Sequence, residues 1–300
     1  MFILILIICH VLDIVSMYGK EVKILGLETC PIFQKTIEGK KRTLAVAGMF
    51  NTGTNLLTQL LVTNCYIKDK VKAYGWDYHG IRIQVPWGKH SPSYFRLQHK
   101  ARKGANGVDH EVVLPAVMIK DPYTWMGSLC RHHYAALWKH TNKHCPNLVA
   151  NNDDSFVNNG QIIPAIVKYT PTNVTTHTSI AAIWNDWNNN YVHYTNTRED
   201  DTFPRLMIRF EDILFRTKET VTQVCNCAGG ALYNEQKFKY ITDSAKGSQI
   251  AHQGAQGLLQ AILFYGNITN RKHGFTKEDL DYAAIALDKE LMDIFSYSII

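Results

Sequence analysis

Short apolar runs alternate with segments of helical periodicity along the chain, and this alternation predicts an α/β fold. Runs of strand length occupy 43–47, 66–71, 116–119 and 205–210. Segments with helical spacing follow at 55–61, 123–139, 179–194, 217–228 and 276–295. Buried strands that alternate with helices usually form a parallel sheet covered on both faces. The pattern therefore predicts three layers, with a central parallel sheet flanked by helices.

Two of the predicted helices carry apolar stripes that we assign to the core rather than to a ligand. In 123–139 the stripe consists of Trp125, Leu129, Tyr134 and Leu137. In 179–194 it consists of Ile180, Ile183, Trp184, Trp187 and Tyr191. The helix at 276–295 begins with Thr276 as N-cap and Asp279 as its capping-box partner. Two stretches interrupt the alternation: the Asn-rich 147–173 predicts an insertion or lid, and 244–257 predicts a mobile segment.

The composition is that of a folded globular protein with a mild positive charge. Hydrophobic residues make up 46% and charged residues 19% of 300 positions, which suffices for a large core. The net charge of +6 suits an anionic ligand. Nucleic acid would require a dense basic stripe, and the sequence has none, so we expect no nucleic-acid partner.

Residues 1–19 predict a secretory targeting segment. Positions 2–9 are continuously apolar, which matches a signal-peptide core and falls short of the ~20 residues of a full membrane span. A cleaved signal peptide and a membrane-inserted signal anchor both stay open, and a buried N-terminal strand is a third option. Sequons for N-glycosylation at Asn173 and Asn267 agree with either targeting reading. We therefore expect a location in the secretory pathway, in the Golgi lumen or outside the cell.

The cysteines also fit that location. The chain has seven, and six remain if Cys9 belongs to the leader. An even set in a secretory protein suggests disulfides, and Cys130 with Cys145 is the pair we expect first. Cys225 and Cys227 could instead form half of a zinc site, although no second CxC or CxxC completes it.

The stretch TLAVAGMFNTGTNLLTQLL at 43–61 predicts an anion-binding turn between a strand and a helix. The first N–H groups of a helix have no partner within it, and the helix dipole favours negative charge there. Gly53 would let the backbone approach a phosphate, and the hydroxyls of Thr52 and Thr54 would donate to its oxygens. An ordinary strand–helix turn with a Thr cap is the alternative.

This turn differs from the loop that binds nucleoside triphosphates with magnesium. That loop has the pattern G-x-x-x-x-G-K-[ST]. Gly48 and Gly53 keep the spacing, but Thr54 stands where the Lys is required. A P-loop kinase is therefore disfavoured, although it stays an alternative.

Four segments in order resemble the sulfotransferases that use 3′-phosphoadenosine 5′-phosphosulfate (PAPS). Residues 47–57 resemble the 5′-phosphosulfate loop, whose core is a basic residue followed by S-G-T-T. VMIKDPYTWMGSLCR at 117–131 resembles the 3′-phosphate strand and helix. MIRFEDIL at 207–214 resembles the later strand usually written R-Y-E-D-L, and 274–297 resembles the C-terminal helix of the Golgi-type members. The resemblance implies a single P-loop α/β domain over 40–300.

The resemblance also implies which residues hold the two anionic ends of PAPS. At the 5′ end the loop would contribute Gly48, Asn51, Thr52, Gly53, Thr54 and Asn55. At the 3′ end Lys120 and Ser128 keep the family's spacing of a basic residue and a Ser eight positions later. Arg271 and Lys272 would close over the same phosphate, as the family's basic loop does.

The catalytic residues implied by the resemblance include one departure. The family usually has Lys or Arg just before its S-G-T core, whereas this chain has Asn51, and Lys89 is our candidate for the missing cation. Lys89-His90-Ser91-Pro92 resembles the K-T-H-x-P of cytosolic members, so we expect His90 to be the general base. His79 is the second candidate and Glu111 the third; a surface histidine without a role is the alternative for His90.

These observations predict a sulfotransferase that moves a sulfuryl group from PAPS to an acceptor hydroxyl. A carbohydrate acceptor is expected from the Golgi-like features, and the reaction needs no metal. A non-catalytic relative that binds nucleotide or glycan is the alternative of a different class, because Asn51 brings no charge. The sequence leaves open the acceptor, the oligomeric state and the fate of the leader.

Overall fold

Two fully buried parallel strands, β2 (Thr43–Gly48) and β5 (Val113–Ile119), form the centre of the largest sheet. The computed structural model describes residues 21–99, 107–152, 154, 158–193, 203–243 and 257–300. The two strands pair in register from Thr43 with Val113 to Gly48 with Met118. Uninterrupted apolar runs of this kind are typical of strands covered on both faces.

The sheet has the order β1–β9–β5–β2–β4, where β1 is Ile24–Leu25, β4 is Ile81–Arg82 and β9 is Leu206–Arg209. Within the described residues β1 alone runs antiparallel to its neighbour, and the other pairs are parallel. The predicted α/β class with a mostly parallel sheet flanked by helices is confirmed. Pro115 lies inside β5 opposite Ala45.

The described chain forms two compact units. The first, the large-sheet unit, comprises Glu21–Ile119 and 203–262, and it also contains the antiparallel pair β3 (Cys65–Ile67) and β10 (Gly230–Leu232). The second, the small-sheet unit, comprises Lys120–His193 and Leu263–Ile300. Its antiparallel sheet consists of β6 (Ala136–Trp138), β7 (Ala165–Lys168) and β8 (Val174–His177).

The helices divide between these units. The large-sheet unit holds α1 (Cys30–Thr36), α2 (Thr54–Asn64), α3 (Lys68–Tyr74), α4 (Phe95–Gln98), α7 (Phe210–Phe215) and α8 (Thr217–Cys227). The small-sheet unit holds α5 (Pro122–Leu129), α6 (Ile180–Val192), α10 (Lys277–Ala286) and α11 (Lys289–Ile294). Helix α9 (Leu258–Tyr265) belongs to the small-sheet unit from Leu263 onward. Short 3₁₀ turns lie at Leu27–Thr29, Trp76–Tyr78, His110–Val112 and Ile268–Lys272.

Helix α6 confirms the prediction for 179–194. The Ser179 side chain accepts a hydrogen bond from the Ala182 N–H at 3.3 Å and so caps the helix. The predicted apolar stripe is buried along its whole length. The predicted capping box of Thr276 and Asp279 is confirmed as well.

The C-terminal helix is shorter than predicted. Instead of one helix to about residue 295, α10 ends at Ala286 and α11 begins at Lys289. The Asp288 side chain accepts a hydrogen bond from the Leu291 N–H at 3.1 Å, so this residue caps a new helix instead of continuing the old one.

The prediction of a helix over 123–139 is wrong beyond Leu129. Tyr134 has a positive φ of 49°, and Leu137 lies in β6, which pairs with β7. Both side chains are about 40% exposed, so the second half of the supposed stripe is not core. Leu137 is extended because β6 pairs with β7, a segment far along the chain. The helical spacing of the four apolar residues could not reveal this pairing.

Three smaller boundaries also differ. The predicted strand at 66–71 is β3 over Cys65–Ile67, after which the chain enters α3. The segment 147–173 is not wholly irregular, because it contains β7 and a bridge between Val149 and Ile162. The targeting segment at 1–19 and most of 244–257 lie outside the described residues.

Three disulfides connect the six cysteines of the described chain. The predicted bridge between Cys130 and Cys145 is confirmed. Cys227 pairs with Cys30 and Cys225 pairs with Cys65, so these residues are not half of a zinc site. Three disulfides fit an oxidising, secretory-type environment. Among the residues the structure describes, no helix is long and apolar enough to cross a membrane.

A buried histidine joins distant parts of the small-sheet unit. His144 is 3% exposed, and its two ring nitrogens lie 2.9 Å from Asp154 and 3.0 Å from Asp279. Asp279 also accepts hydrogen bonds from the N–H groups of Leu148 and Val149. The start of α10 is thereby attached to the segment that follows the Cys130–Cys145 bridge.

We predict that His144→Ala lowers the free energy of unfolding by about 3 kcal/mol, because it leaves two buried carboxylates without their partner. His193→Ala is the control: His193 is partly exposed and lies 3.6 Å from the exposed Glu290, so its loss should cost less than about 1 kcal/mol. Denaturant unfolding of the two variants tests this difference. Equal stabilities would contradict it.

Candidate functional site

The turn after β2 depends on three residues with positive φ. These are Gly48 at 148°, Asn51 at 65° and Gly53 at 86°. A Cβ at Gly48 would lie 2.8 Å from the Met118 carbonyl oxygen, and one at Gly53 would lie 2.6 Å from the ring of Phe210. Glycine is required at both positions by backbone conformation and by space.

The turn leads directly into the N-terminus of α2, whose first residue is Thr54. The first intrahelical bond runs from the Leu57 N–H to the Gly53 carbonyl, at 3.1 Å. The N–H groups before Leu57 have no acceptor inside the helix by its geometry. With 11 residues, α2 is long enough for its dipole to add positive potential at this end. The predicted succession of strand, turn and helix N-terminus is present.

The expected role of the Thr52 hydroxyl is not what the structure shows. Thr52 is fully buried, and its hydroxyl donates to the Met49 carbonyl oxygen at 2.6 Å. This side chain closes the turn from inside instead of facing a ligand. Any anion at the turn would therefore be held by backbone N–H groups rather than by this hydroxyl.

The segment after β4 follows the edge of β2 and brings Lys89 and His90 to the turn. The Val85 N–H donates to the Val46 carbonyl at 3.0 Å, and the Gly48 N–H donates to the Lys89 carbonyl at 3.0 Å. These bonds fix the backbone of the segment against the strand that ends in the turn. Two of the sequence-predicted catalytic residues thus lie at the predicted binding loop.

The Lys89 ammonium lies at the first turn of α2. Its Nζ donates to the Asn55 side-chain oxygen at 3.0 Å. A cation beside a helix N-terminus is unfavourable unless an anion is also bound, because the helix end is itself positive. The arrangement concentrates positive charge at the turn, where Asn51 provides none.

The His90 ring has a defined orientation. Its Nδ1 lies 2.7 Å from the Gly48 carbonyl oxygen, so Nδ1 carries the hydrogen that this bond requires. In the neutral ring Nε2 then has the basic lone pair, which is the arrangement a general base needs.

The other two candidate bases have structural partners. His79 accepts a hydrogen bond from the Ile81 N–H at 3.1 Å, and burial together with nearby Lys70 lowers the pKa of His79. Glu111 lies 2.9 Å from Arg96 and 2.7 Å from His110. Both side chains stabilise local structure in the large-sheet unit.

The second group of predicted residues lies in the small-sheet unit, around the ammonium of Lys120. Lys120 directly follows β5 and is 2% exposed. Its Nζ donates to the Ser128 hydroxyl at 2.9 Å, and that hydroxyl donates to the Thr124 carbonyl at 2.7 Å. The prediction that Lys120 and Ser128 act together is consistent with this contact, since an i, i+8 spacing along one loop and helix brings them within hydrogen-bonding distance.

Tyr265, at the end of α9, is a member of this cluster that the sequence did not reveal. The Lys120 Nζ donates to its hydroxyl at 2.9 Å, and the guanidinium of Arg131 lies 3.5 Å from the same hydroxyl. Burial opposes ionisation of this phenol, but the charge and hydrogen bond of Lys120, with Arg131 and Ser128, outweigh it and lower the pKa of Tyr265 to about 8. In the sequence this residue ends an apolar run, LLQAILFY, which gives no indication of a contact with Lys120.

The basic pair after α9 divides into one buried and one exposed residue. Arg271 is 3% exposed and pairs with Asp121 at 2.7 Å, and it also donates to the Ser298 carbonyl at 2.7 Å. Lys272 is exposed in the same 3₁₀ turn. Arg271 thus attaches the C-terminus to the residue after Lys120, and its charge is already balanced by a carboxylate.

The R-F-E-D segment after β9 has a structural function. Arg209 makes a bidentate contact with Asp212 at 2.6 and 2.9 Å, and Arg216 lies 3.0 Å from the same carboxylate. The ring of Phe210 packs against Gly53. Phe210 of this segment therefore packs against the turn, a contact that the motif did not indicate.

Neither metal coordination nor similarity to a known protein adds to this description. Within the described residues no group of three or more His, Cys, Asp or Glu side chains could hold a metal ion. No family model, curated protein or solved structure matches the chain. The candidate site is defined by its own geometry.

We predict that Gly53→Ala lowers the free energy of unfolding by about 2–4 kcal/mol, because a Cβ adds backbone strain and displaces Phe210. Gly160→Ala is the control: its φ is 78°, but no atom lies within 4 Å of the added Cβ. That variant should lose only about 1–2 kcal/mol from backbone strain. Chemical denaturation measures both, and equal losses would show that Phe210 does not constrain the turn.

Proposed function

We propose that this protein is a sulfotransferase of the P-loop α/β type that transfers a sulfuryl group from PAPS to an acceptor hydroxyl. The observation that carries the proposal is the turn at Gly48–Asn55, where a helix N-terminus, the Lys89 ammonium and the His90 ring lie together. The mostly parallel sheet with this turn after a central strand supports the three-layer P-loop fold. The proposal rests on chemistry as well as on the four resembling segments.

The 5′ end of PAPS requires hydrogen-bond donors and positive potential. The N–H groups at the start of α2 supply donors that face an anion without rearrangement. Gly48 and Gly53 allow the backbone of the turn to adopt its positive φ angles and to pack closely against Met118 and Phe210. The lack of a Lys at position 54 argues against a triphosphate with magnesium.

The 3′ phosphate requires a second cation and a hydroxyl. Lys120 and Ser128, which lie 2.9 Å apart, provide both. A buried ammonium gives a strong charge-assisted hydrogen bond to phosphate. Lys120 would also distinguish PAPS from ATP, because ATP has no phosphate on the 3′ hydroxyl.

His90 is our general base. As the acceptor oxygen attacks sulfur, its proton passes to Nε2 of His90, and the hydrogen bond from Nδ1 to the Gly48 carbonyl stabilises the resulting imidazolium. The bond from sulfur to the bridging phosphate oxygen breaks, and its electron pair leaves with 3′,5′-adenosine bisphosphate. Proton and charge therefore balance within one transfer step.

Lys89 compensates for Asn51 in this proposal. The leaving phosphate oxygen gains negative charge in the transition state, and removal of a donor at such a position costs about 3 kcal/mol. The Lys89 ammonium at the first turn of α2 can stabilise that charge from another part of the chain. The Asn51 side chain adds a neutral donor.

The secretory location supports a carbohydrate acceptor. Three disulfides and two sequons agree with an oxidising compartment where glycans are modified. In this proposal the protein acts in the Golgi lumen or after secretion, and its partners are PAPS and a glycan.

A second candidate is a non-catalytic glycan-binding relative, and one surface feature favours it. Tyr66, Trp76 and Tyr233 form a cluster with ring centroids 5.1–5.7 Å apart, and Trp76 is 60% exposed. Exposed aromatic rings of this kind stack on sugar rings. The cluster lies at the far end of α2 from the turn, about 16 Å along an 11-residue helix. A sugar bound to this cluster would be too far from the turn at Gly48–Asn55 to accept a sulfuryl group there.

We predict that the protein binds 3′,5′-adenosine bisphosphate at least about tenfold more tightly than ATP, because ATP lacks the 3′ phosphate (about 1.4 kcal/mol). Titration calorimetry with both nucleotides tests this. Lys120→Met should weaken bisphosphate binding about 10- to 100-fold, and Ser128→Ala about fivefold. Lys277→Met is the control, since Lys277 is exposed and pairs only with Asp281 among its described contacts.

Three outcomes would contradict the assignment. A preference for ATP would favour a kinase. Unchanged bisphosphate affinity in both Lys120→Met and Ser128→Ala would remove the 3′-phosphate site. Binding without sulfate transfer over a panel of glycans, measured with labelled PAPS, would favour the non-catalytic relative.

We predict that His90→Ala lowers kcat about 10²- to 10⁴-fold and changes bisphosphate affinity less than about threefold, because the base acts only during transfer. His90→Asn is the matched control for position, since its side-chain N–H can still donate to the Gly48 carbonyl but cannot act as a base. Both variants should be equally inactive. Activity that survives in His90→Asn alone would make His90 a positioning residue, and full activity in both would place the base elsewhere.

A further inference from the structure

The contact between Tyr265 and the Lys120 cluster has a specific geometry. The phenol oxygen lies 2.9 Å from the Lys120 Nζ and 3.5 Å from an Arg131 guanidinium nitrogen. The same ammonium donates to the Ser128 hydroxyl at 2.9 Å. One oxygen atom is thus surrounded by two cations and lies next to a hydroxyl, which is the environment of an oxygen atom of a bound phosphate.

We propose that the Tyr265 hydroxyl occupies the position of a phosphate oxygen in an anion site formed by Lys120, Ser128 and Arg131, so that a phosphate must displace it to bind. This inference rests on the proposed function for the identity of the ligand, a 3′-phosphorylated adenosine nucleotide. It adds Arg131 as a phosphate ligand and Tyr265 as an autoinhibitory group.

The chemistry of the phenol supports the role of an anion substitute. Tyr265 lies beside two positive charges that favour its ionised form, and the pKa of this side chain is lowered to about 8. The groups that face it are Lys120 after β5, Ser128 on α5, Arg131 after α5 and the neighbouring ring of Phe264. As the pH rises through 8, the phenolate becomes a stronger competitor for the same cations.

The position of Tyr265 allows displacement without loss of the fold. It is the last residue of α9, an eight-residue helix in which every residue is at least partly exposed. Lys120 also lies 4.2 Å from the centroid of its ring, so the ring can keep a cation–π contact when the hydroxyl moves. Displacement therefore requires the movement of one side chain at the end of a helix and leaves the rest of the fold in place.

Tyr265→Phe tests the masking. Titration calorimetry at pH 7 should show bisphosphate binding about fivefold tighter in the variant than in the unmodified protein. Binding of 5′-AMP, which lacks the 3′ phosphate, should not change. Tyr282→Phe is the matched control: it removes a hydroxyl that contacts Ser179 at 3.4 Å in the same unit, and it should leave both affinities unchanged.

The pH dependence gives a second readout. Between pH 7 and pH 9 the bisphosphate affinity of the unmodified protein should fall about tenfold, since the phenol ionises across this range while the phosphate is already fully charged. In Tyr265→Phe the affinity should stay nearly constant. Addition of Arg131→Ala to the Tyr265→Phe variant should weaken its bisphosphate binding at least about threefold.

The outcomes separate this inference from the proposed function. If bisphosphate binding requires Lys120 but Tyr265→Phe neither tightens it nor removes its pH dependence, the masking is wrong and the proposed function stands. If no nucleotide binds, inorganic phosphate serves as the probe by ³¹P NMR. Tighter phosphate binding in Tyr265→Phe that is lost in Lys120→Met would support a masked anion site of another function, and no binding in either would overturn the masking.

Discussion

The parallel pairing of β2 with β5 is the constraint on which the large-sheet unit depends. Every residue of both strands is buried, so neither strand can carry polar chemistry along its length. Polar groups appear where the strands end: the turn follows Gly48, and Lys120 follows Ile119. This is the general behaviour of parallel sheets, in which ligands bind beyond the carboxyl ends of the strands. The backbone register, rather than any side chain, therefore decides where the candidate site begins.

The charges of the candidate regions differ in how they are balanced. Arg209 and Arg271 make close contacts with the buried carboxylates of Asp212 and Asp121, and such pairs are costly to break, so these arginines stabilise the fold. Arg209 and Asp212, in the segment that resembles R-Y-E-D-L, therefore have a structural role in this fold. Lys89 and Lys120 are therefore the better candidates for binding an anion. The described contacts of Lys89 include the amide oxygen of Asn55, and those of Lys120 include the hydroxyls of Ser128 and Tyr265.

The sequence was sufficient to predict the structure where the residues that determine it lie close together in the chain. The buried strand before Gly48, the amphipathic helix over 179–194 and the capping box of Thr276 each depend on nearby residues, and all were predicted. It was insufficient where distant segments meet. Tyr134 and Leu137 have helical spacing, but pairing of β6 with β7 overrides it. Asp288 ends one helix by capping the next. The contact of Tyr265 with Lys120 spans 145 positions, and the hydroxyl of Thr52 turns inward to a carbonyl, so neither could be read from a motif.

In the function proposed above, Lys89 compensates for the missing charge at Asn51. A neutral residue at this position removes a charge from the loop itself, yet the loop is joined to a second segment by the hydrogen bond from the Gly48 N–H to the Lys89 carbonyl. That bond holds the Lys89 side chain at the first turn of α2, where it contacts Asn55. Positive potential at the helix N-terminus depends on the position of a charge and not on its place in the sequence. The positive φ of Asn51 is a conformation that asparagine tolerates better than most residues, which gives a structural reason for asparagine at this position of the turn.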